Sequence, residues 1–261
     1  MKNYKNINFC LGIDPNPTQQ NFENFRTALY AHMEILDFYG NNLNDKILKP
    51  QLAYFLSFGS KGISLLEEFV SRYNENYTII IDAKFNDIST TLKAYLHFIF
   101  GTLNAHGLTI SPFLGEQTLQ LAFEECAKKA DRKGRVYVLC ATSESSKGDL
   151  SFIDENWKKT LQACQNLRNT VFSGQEDLNK LIGVVIGANR ENILFSDELK
   201  SSELSVLSPG LGAQGADWKI ISKCAQHPNE ITFPVSRGVF AGGNINLEQM
   251  KDNLVAIQRY F

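Results

Sequence analysis

The sequence lacks the features that identify several classes of protein. No run of about 18 apolar residues occurs, so we expect no membrane-spanning helix. The formal net charge is only −2, which gives no strong field for nucleic acid or for an acidic membrane surface. The chain also has no low-complexity linker and no block of like charge. We therefore expect a single domain over residues 1–261, with no nucleic-acid or membrane partner.

The cysteines and the N-terminal residues favour a reducing compartment. The five cysteines are odd in number, scattered and never spaced as CxxC, which is typical of free thiols. The stretch MKNYKNINFC lacks the apolar segment of a signal peptide, so we expect a cytoplasmic protein.

The four histidines form no cluster with the spacing of metal ligands: His32, His97, His106 and His227. Ser236 has no GxSxG context that would indicate a hydrolase nucleophile.

Short apolar runs alternate with longer amphipathic stretches along the chain. Eight runs are candidate strands: FCLGID, ILKPQLAYF, TIIIDAK, LTISPFL, RVYVLCATS, LIGVVIGA, LSVLSPG and FPVSRGV. Apolar residues recur three or four apart, as on one face of a helix, over residues 21–39, 64–73, 92–103, 116–129, 157–171, 218–225 and 247–260. The helical pattern is weakest over residues 190–199, and the polar tract 143–149 is typical of a loop.

This alternation indicates parallel strands joined by helical crossovers. Eight such units in about 250 residues have the size of a (β/α)8 TIM barrel. The alternative is a doubly wound open sheet, in which the eighth strand would extend an already long sheet. That alternative also lacks a GxGxxG after the first strand. We therefore predict an α/β fold of the TIM-barrel type.

Charged residues collect at the ends of the predicted strands, where barrels carry their active sites. Asp14 ends the first run, Lys49 lies in the second, and Thr142-Ser143 ends the fifth. The third run continues as IIIDAKFNDI, in which Asp82 and Lys84 are two residues apart and so share one face of a strand. Such a pair can be a structural ion pair. Charges from three strands at one barrel mouth favour an active site instead.

The last two strand ends have the composition of a phosphate site. The seventh run opens into PGLGAQGAD and the eighth into SRGVFAGG, where barrels commonly bind phosphate. Backbone N–H groups at Gly210, Gly212 and Gly215 could approach an anion closely. Arg237 could bind phosphate oxygens bidentately, and Gly238 would leave its own N–H accessible. The alternative is that the glycines only form turns.

These motifs together resemble the orotidine 5′-phosphate decarboxylase family, most closely its longer bacterial branch. DAKFNDI is similar to the family signature D-x-K-x-x-D-I, and the chain also contains stretches that resemble the first, second, seventh and eighth strand motifs: LGIDPNP, KPQLAYF, SPGLGAQGAD and SRGVF. The match covers about residues 10–243, with the motifs in family order. Phe85-Asn86 stands where that branch usually has Arg-Gly, and Glu144 stands where it usually has Asn.

The resemblance implies a homodimeric barrel that converts orotidine 5′-phosphate to UMP and CO2, the last step of de novo UMP synthesis, without metal or organic cofactor. Lys84 would donate the proton to C6 beside Asp82, while Asp14 and Lys49 would hold the ribose, Lys49 also bonding to Asp82. The resemblance implies further substrate contacts from Asp87 and Ile88 in the partner subunit's site, Thr91 at the ribose, and Ser143 at the pyrimidine edge. Gln214, Arg237 and Gly238 would hold the phosphate, and Pro209 would also contact the substrate.

Two other functions fit part of the same motif set. A magnesium-dependent sugar-phosphate lyase or decarboxylase of the same superfamily would share D-x-K-x-x-D, and EDTA would abolish its activity. Thr142-Ser143 and the loop 209–217 favour a pyrimidine substrate over that alternative. A catalytically silent nucleotide sensor would bind UMP without turnover, but it has no evident need for a charged cluster that is so costly to desolvate.

Overall fold

The computed structural model describes residues 4–15, 21–43, 45–128, 135–143, 152–173, 181–212, 215–240 and 247–261. Within these ranges eight parallel strands pair in chain order, and β1 also pairs with β8, which closes the barrel. The strands are β1 (Ile7–Ile13), β2 (Ile47–Pro50), β3 (Thr78–Phe85), β4 (Gly107–Ile110), β5 (Arg135–Ala141), β6 (Ile182–Ile186), β7 (Ser205–Leu207) and β8 (Ile231–Val235). The predicted TIM barrel is confirmed, and the open-sheet alternative is wrong.

Helices connect the strands and cover the outside of the barrel. They are α1 (Phe22–Tyr39), α2 (Leu52–Leu56), α3 (Gly59–Tyr73), α4 (Ser89–Leu96), α5 (Glu116–Ala127), α6 (Phe152–Val171), α7 (Glu191–Leu194), α8 (Asp197–Lys200), α9 (Lys219–Lys223), α10 (Arg237–Phe240) and α11 (Leu247–Gln258). In α1, Phe25, Leu29 and Leu36 lie on the predicted apolar face and are buried in the core. None of the helices in the described ranges is long and apolar enough to cross a bilayer.

Some element boundaries differ from the predicted ones. The run ILKPQLAYF is predicted as strand throughout, but the strand ends at Pro50 and α2 begins at Leu52. Helix formation there buries Leu52 and Phe55 on the same side, three residues apart. The weakly helical stretch 190–199 forms two short helices instead of one. Ser196 separates them, because its hydroxyl accepts a hydrogen bond from the N–H of Leu199 and caps α8.

The inside of the barrel is packed separately from its outside. Ile79 and Ile81 of β3 belong to the large core that extends to the helices. Ile80, between them, packs instead with Tyr137, Val185 and Leu207. These residues come from strands that are not all neighbours, so the contacts must cross the barrel interior. The strand alternation therefore turns Asp82, two residues after Ile80, towards the interior at the C-terminal end.

A bidentate ion pair crosses the opposite, N-terminal end of the barrel. Arg135, at the start of β5, donates to both carboxylate oxygens of Glu230, at 2.5 and 3.0 Å. Glu230 directly precedes β8, and it also accepts a hydrogen bond from Asn8 of β1 at 2.7 Å. The pair thus joins strands on different sides of the barrel, at the end that carries no predicted site residue.

Candidate active site

The C-terminal ends of the strands surround a cavity of about 380 Å³. The residues that line it include eight of those predicted from the sequence: Asp14, Lys49, Asp82, Lys84, Ser143, Pro209, Arg237 and Gly238. They lie in or directly after β1, β2, β3, β5, β7 and β8. The fold therefore brings together the charged strand ends and the two glycine-containing loops in one pocket.

Asp82 is the centre of a charged network at the floor of this cavity. Its Oδ2 accepts a hydrogen bond from Lys49 Nζ at 2.7 Å, and its Oδ1 accepts one from Lys84 Nζ at 2.5 Å. Burial by itself would raise the pKa of Asp82, but the two ammonium groups outweigh it and hold the pKa well below its ordinary value. Asp82 is therefore an ionised carboxylate throughout the physiological pH range.

The two lysines differ in their access to the cavity. The side chain of Lys49 is only 7% exposed, whereas that of Lys84 is 45% exposed. Burial would lower the pKa of Lys49, but the carboxylates of Asp82 and Asp14 raise it above its ordinary value, which fixes the positive charge. Lys49 is therefore the buried partner of Asp82, whereas the ammonium of Lys84 is accessible to a molecule in the cavity.

The backbone of β3 is irregular where it carries these charges. Ile81 pairs with Leu108 and Phe85 pairs with Ile110, so three residues of β3 lie opposite Thr109. Lys84 has a φ of 51°, in the left-handed region that residues other than glycine rarely adopt. The ammonium of Lys84 thus reaches Asp82 by way of a bulge, and not through the regular two-residue repeat that the sequence predicts.

Asp14 adds a second buried carboxylate to the cavity. Burial raises its pKa against the attraction of Lys49, and Ser236 donates a hydrogen bond to it. Its Oδ1 is buried and has no hydrogen-bond partner among the residues that the structure describes. A buried acceptor without a donor is unfavourable. Asp14 can therefore accept a hydrogen bond from a hydroxyl group of a bound molecule.

The end of β6 holds Ser143 at the cavity. Asn189 Nδ2 donates to the carbonyl oxygen of Ser143 at 2.7 Å, and Arg190 Nε donates to that of Thr142 at 3.1 Å. Gly187 packs so closely that a Cβ there would lie 2.5 Å from Ser143 Cα. Neither Asn189 nor Arg190 was among the residues expected at the site. Their signal in the sequence is the polar pair that directly follows the apolar run LIGVVIGA.

Glycines with positive φ shape the loop after β7. Gly210 has a φ of 113°, Gly212 one of 63° and Gly215 one of 92°. The N–H of Gly212 donates to the carbonyl oxygen of Ala216 at 2.9 Å, and the N–H of Gly215 donates to the carbonyl oxygen of Gly212 at 3.0 Å. The prediction that these N–H groups approach an anion is therefore wrong for Gly212 and Gly215, which form a turn. Gly210 lines the cavity.

Arg237 and Gly238 line the same cavity from the start of α10. Both residues are exposed, and the same cavity surface includes Pro209 from the loop after β7. The short helix α10 lies in a stretch that the sequence predicts as a glycine-containing loop. Gln214, the remaining residue expected here, lies outside the described residues.

Three predicted residues lie outside the cavity lining. Ile88 has 61% of its surface exposed, and its N–H donates to Oδ1 of the preceding Asp87 at 2.8 Å. Thr91 is exposed on α4. The resemblance assigns Asp87 and Ile88 to the site of a partner subunit, and this assignment stays a prediction.

Gln51 and Thr109, which were not among the residues predicted from the sequence, also contact Asp82. Thr109 Oγ1 donates to Asp82 Oδ1 at 2.9 Å, and Gln51 Nε2 lies 3.4 Å from Asp82 Oδ2. Gln51 follows the motif residues Lys49 and Pro50 directly, and Thr109 interrupts the apolar run LTI. A polar residue inside a buried strand would have been the signal for Thr109.

The described ranges contain no group of three or more histidine, cysteine, aspartate or glutamate side chains that could hold a metal ion. The expectation of catalysis without metal or organic cofactor stays a prediction.

Comparison with known proteins identifies the family. The model of the Orotidine 5′-phosphate decarboxylase / HUMPS family matches residues 8–241. The orotidine 5′-phosphate decarboxylase of Roseiflexus castenholzii is 30% identical, covering 83% of this chain and 76% of the relative. The orotidine 5′-phosphate decarboxylase of Dehalococcoides mccartyi strain CBDB1 is also 30% identical, covering 96% of this chain and 92% of the relative.

A solved structure has the same fold. The crystal structure of orotidine 5′-monophosphate decarboxylase from Methanocaldococcus jannaschii, complexed with the inhibitor BMP, aligns with a TM-score of 0.63. The alignment covers 94% of this chain and 95% of that one, at 20% sequence identity, and therefore supports the barrel fold alone. The family match over most of the sequence and the 30% identity to curated decarboxylases confirm the resemblance: the chain belongs to the orotidine 5′-phosphate decarboxylase / HUMPS family.

Proposed function

We propose that the chain decarboxylates orotidine 5′-phosphate to UMP and CO2 in pyrimidine synthesis. The observation that carries the proposal is the Lys49–Asp82–Lys84 network at the cavity. It occurs in a chain whose relatives at 30% identity are orotidine 5′-phosphate decarboxylases. The family description also includes HUMPS, so these relatives favour the decarboxylase more strongly than the family match does.

Lys84 would act on the reacting carbon of the substrate. When the C6–carboxylate bond breaks, its electron pair stays on C6, because the ring offers no electron sink. An ammonium fixed beside C6 stabilises this negative charge and then donates its proton to it. Lys84 is left as a neutral amine and regains a proton from solvent. The exposure of its side chain into the cavity and its hydrogen bond to Asp82 support this role.

Asp82 would destabilise the bound substrate. A substrate carboxylate placed next to that of Asp82 is repelled, by roughly 4 kcal/mol at about 4 Å and an effective dielectric near 20. The largest enzymatic accelerations require about 20 kcal/mol or more, so this repulsion is only part of catalysis. Binding energy from the phosphate and ribose must supply much of the rest. Because the lysines hold the pKa of Asp82 low, protonation at ordinary pH cannot relieve the repulsion.

The remaining lining residues would hold the substrate. The buried Oδ1 of Asp14, which lacks a partner among the described residues, would accept a hydrogen bond from a ribose hydroxyl. Lys49 would also contact the ribose, and Ser143, held by Asn189, would bind the pyrimidine edge. The proposed phosphate site consists of Gln214, Arg237 and Gly238, and Pro209 would also contact the substrate.

We further propose that the protein is a homodimer in which Asp87 and Ile88 complete the partner's site, with Thr91 at the ribose. Neither Asp87 nor Ile88 lines the cavity of its own chain, although both lie between β3 and α4. Apolar residues exposed on α2 and after β3 and β4 support a contact surface at this end of the barrel: Leu56 (53%), Ile88 (61%), Phe113 (67%) and Leu114 (40%). The single domain over residues 1–261 and the cytoplasmic location remain part of the proposal.

One assay tests the proposed function. Purified protein is mixed with orotidine 5′-phosphate in EDTA, and the loss of substrate absorbance and the release of UMP are followed. We expect complete conversion to UMP. Activity that EDTA abolishes and Mg²⁺ restores would indicate the magnesium-dependent lyase instead. Binding of UMP without any conversion would indicate a nucleotide sensor.

A further inference from the structure

We propose that Thr109 is the positioning residue that holds Lys84 and Asp82 in their reactive arrangement; the inference rests on the proposed decarboxylase function. The Thr109 hydroxyl accepts a hydrogen bond from the backbone N–H of Lys84 at 2.9 Å. The same hydroxyl donates to Oδ1 of Asp82 at 2.9 Å. This oxygen of Asp82 also accepts the hydrogen bond from Lys84 Nζ. One hydroxyl therefore connects the backbone of Lys84 with the carboxylate that its side chain binds.

Thr109 is itself held by regular structure. On its other side, β4 pairs with β5 without interruption, and Thr109 lies opposite Tyr137. The residue is only 1% exposed. On the β3 side it stands opposite the three irregular residues between Ile81 and Phe85. A fixed position on one strand thus supports the bulge on the next.

The bulge needs this support because Lys84 is in an unfavourable conformation. Its φ of 51° is one that a residue with a side chain rarely adopts. In this conformation the N–H of Lys84 bonds to a side-chain oxygen where a regular strand would use a carbonyl of its neighbour. Without the hydroxyl, that N–H would lose its acceptor, and β3 could relax towards regular geometry. The ammonium of Lys84 would then move relative to Asp82.

A hydroxyl is the group that can satisfy both neighbours at once. Its oxygen accepts from the N–H of Lys84, so its single proton is directed towards Asp82. Valine has nearly the same shape as threonine but can neither accept nor donate here, whereas serine keeps both functions. The chemistry at residue 109 can therefore be changed with little change in volume.

The test compares Thr109→Val and Thr109→Ser with wild type for kcat, KM and UMP binding. For Thr109→Val we expect kcat to fall about 10- to 100-fold, the range that corresponds to one hydrogen bond to a charged group. UMP affinity should change less than about threefold, because the lost bonds orient Lys84 and touch no ligand. Thr109→Ser should keep kcat within about fivefold of wild type, since it retains donor and acceptor.

Thr232→Val is the matched control. Thr232 is also a buried barrel threonine, but it lies in β8 beside Glu230, at the end of the barrel opposite the cavity. Its replacement should lower the unfolding temperature by an amount similar to Thr109→Val and leave kcat near wild type. If Thr109→Val does not fold, Thr109→Cys replaces it, and the weaker S–H donor should leave kcat at least about fivefold below that of Thr109→Ser.

The outcomes separate this inference from the proposed function. Wild type without turnover of orotidine 5′-phosphate would refute the function itself. An active wild type with Thr109→Val at nearly full kcat would refute the positioning role only. Equal losses of kcat and of UMP affinity in Thr109→Val, or failure of Thr109→Ser to restore kcat, would show that Thr109 merely stabilises the site.

Discussion

Mixing two inactive variants tests whether Asp87 acts in the site of the partner subunit. Lys84 lines the cavity of its own chain, whereas Asp87 lies outside that lining. If each site takes Lys84 from one chain and Asp87 from the other, the Lys84→Ala and Asp87→Ala homodimers each have two defective sites. In a mixed dimer, one site carries both substitutions and the other carries neither.

The expected recovery follows from this arrangement. Equal amounts of the two variants, after complete exchange, give about half mixed dimers, and each mixed dimer has one intact site of two. The mixture should therefore show about a quarter of wild-type activity, from two proteins that are each nearly inactive. The assay is the conversion of orotidine 5′-phosphate before and after exchange.

The result depends on subunit exchange, so mixed dimers must first be detected by pull-down with a tag on one variant. Asp217→Ala mixed with Lys84→Ala is the matched control. Asp217 is an exposed aspartate outside the cavity lining. Because half of the chains in that mixture keep Lys84, its activity should be about half of wild type both before and after exchange. Mixed dimers of the Lys84 and Asp87 variants that stay inactive would refute the shared site and place Asp87 in its own chain's site.

Three further predictions concern the phosphate site and stability. Arg237→Ala should weaken UMP binding by about 1.5–3 kcal/mol and leave uridine binding unchanged in calorimetry, whereas equal losses would remove Arg237 from the phosphate site. Glu230→Gln should lower the free energy of unfolding in urea by about 2–3 kcal/mol, because it leaves the partly buried Arg135 without its carboxylate partner. The control Glu198→Gln, which removes an exposed ion pair with Lys158, should leave the urea midpoint near that of wild type. Burial lowers the pKa of His32 from 6.5 to about 4, so on acidification the unfolded state binds the proton first. The free energy of unfolding should therefore fall by about 2 kcal/mol from pH 7 to 5, and His32→Phe should remove that part of the fall. An unchanged pH dependence in His32→Phe would show that His32 does not cause it.

The barrel could be predicted because its signals are local and repeated. Each of the eight apolar runs overlaps one strand, and the order of strands and helices leaves few topologies. The charged strand ends were predictable for the same reason, since parallel strands in a barrel bring their C-terminal ends together. Asp14 directly follows β1, Lys49 lies in β2 and Asp82 lies in β3, and all three line one cavity, as predicted from the sequence.

The remaining features depend on contacts between distant parts of the chain. The bulge at Lys84 arises from the pairing of β3 with β4, and a regular strand pattern gives no sign of it. Thr109 acts through hydrogen bonds to Lys84 and Asp82, 25 and 27 positions away, and Asn189 acts through one to Ser143, 46 positions away. Gly212 and Gly215 were ambiguous because a turn and an anion site both require positive φ, and only the bonded N–H groups distinguish them.

The kcat of Lys84→Ala is the most direct test of the central claim that this ammonium donates the proton to C6. We expect kcat to fall at least about 100-fold, the lower range for a general acid, in a folded dimer that still binds UMP. Lys93→Ala, which removes an exposed lysine from α4, should leave kcat unchanged. A Lys84→Ala variant that keeps more than about a tenth of wild-type kcat, a change below about 1.4 kcal/mol, would show that Lys84 is not the proton donor.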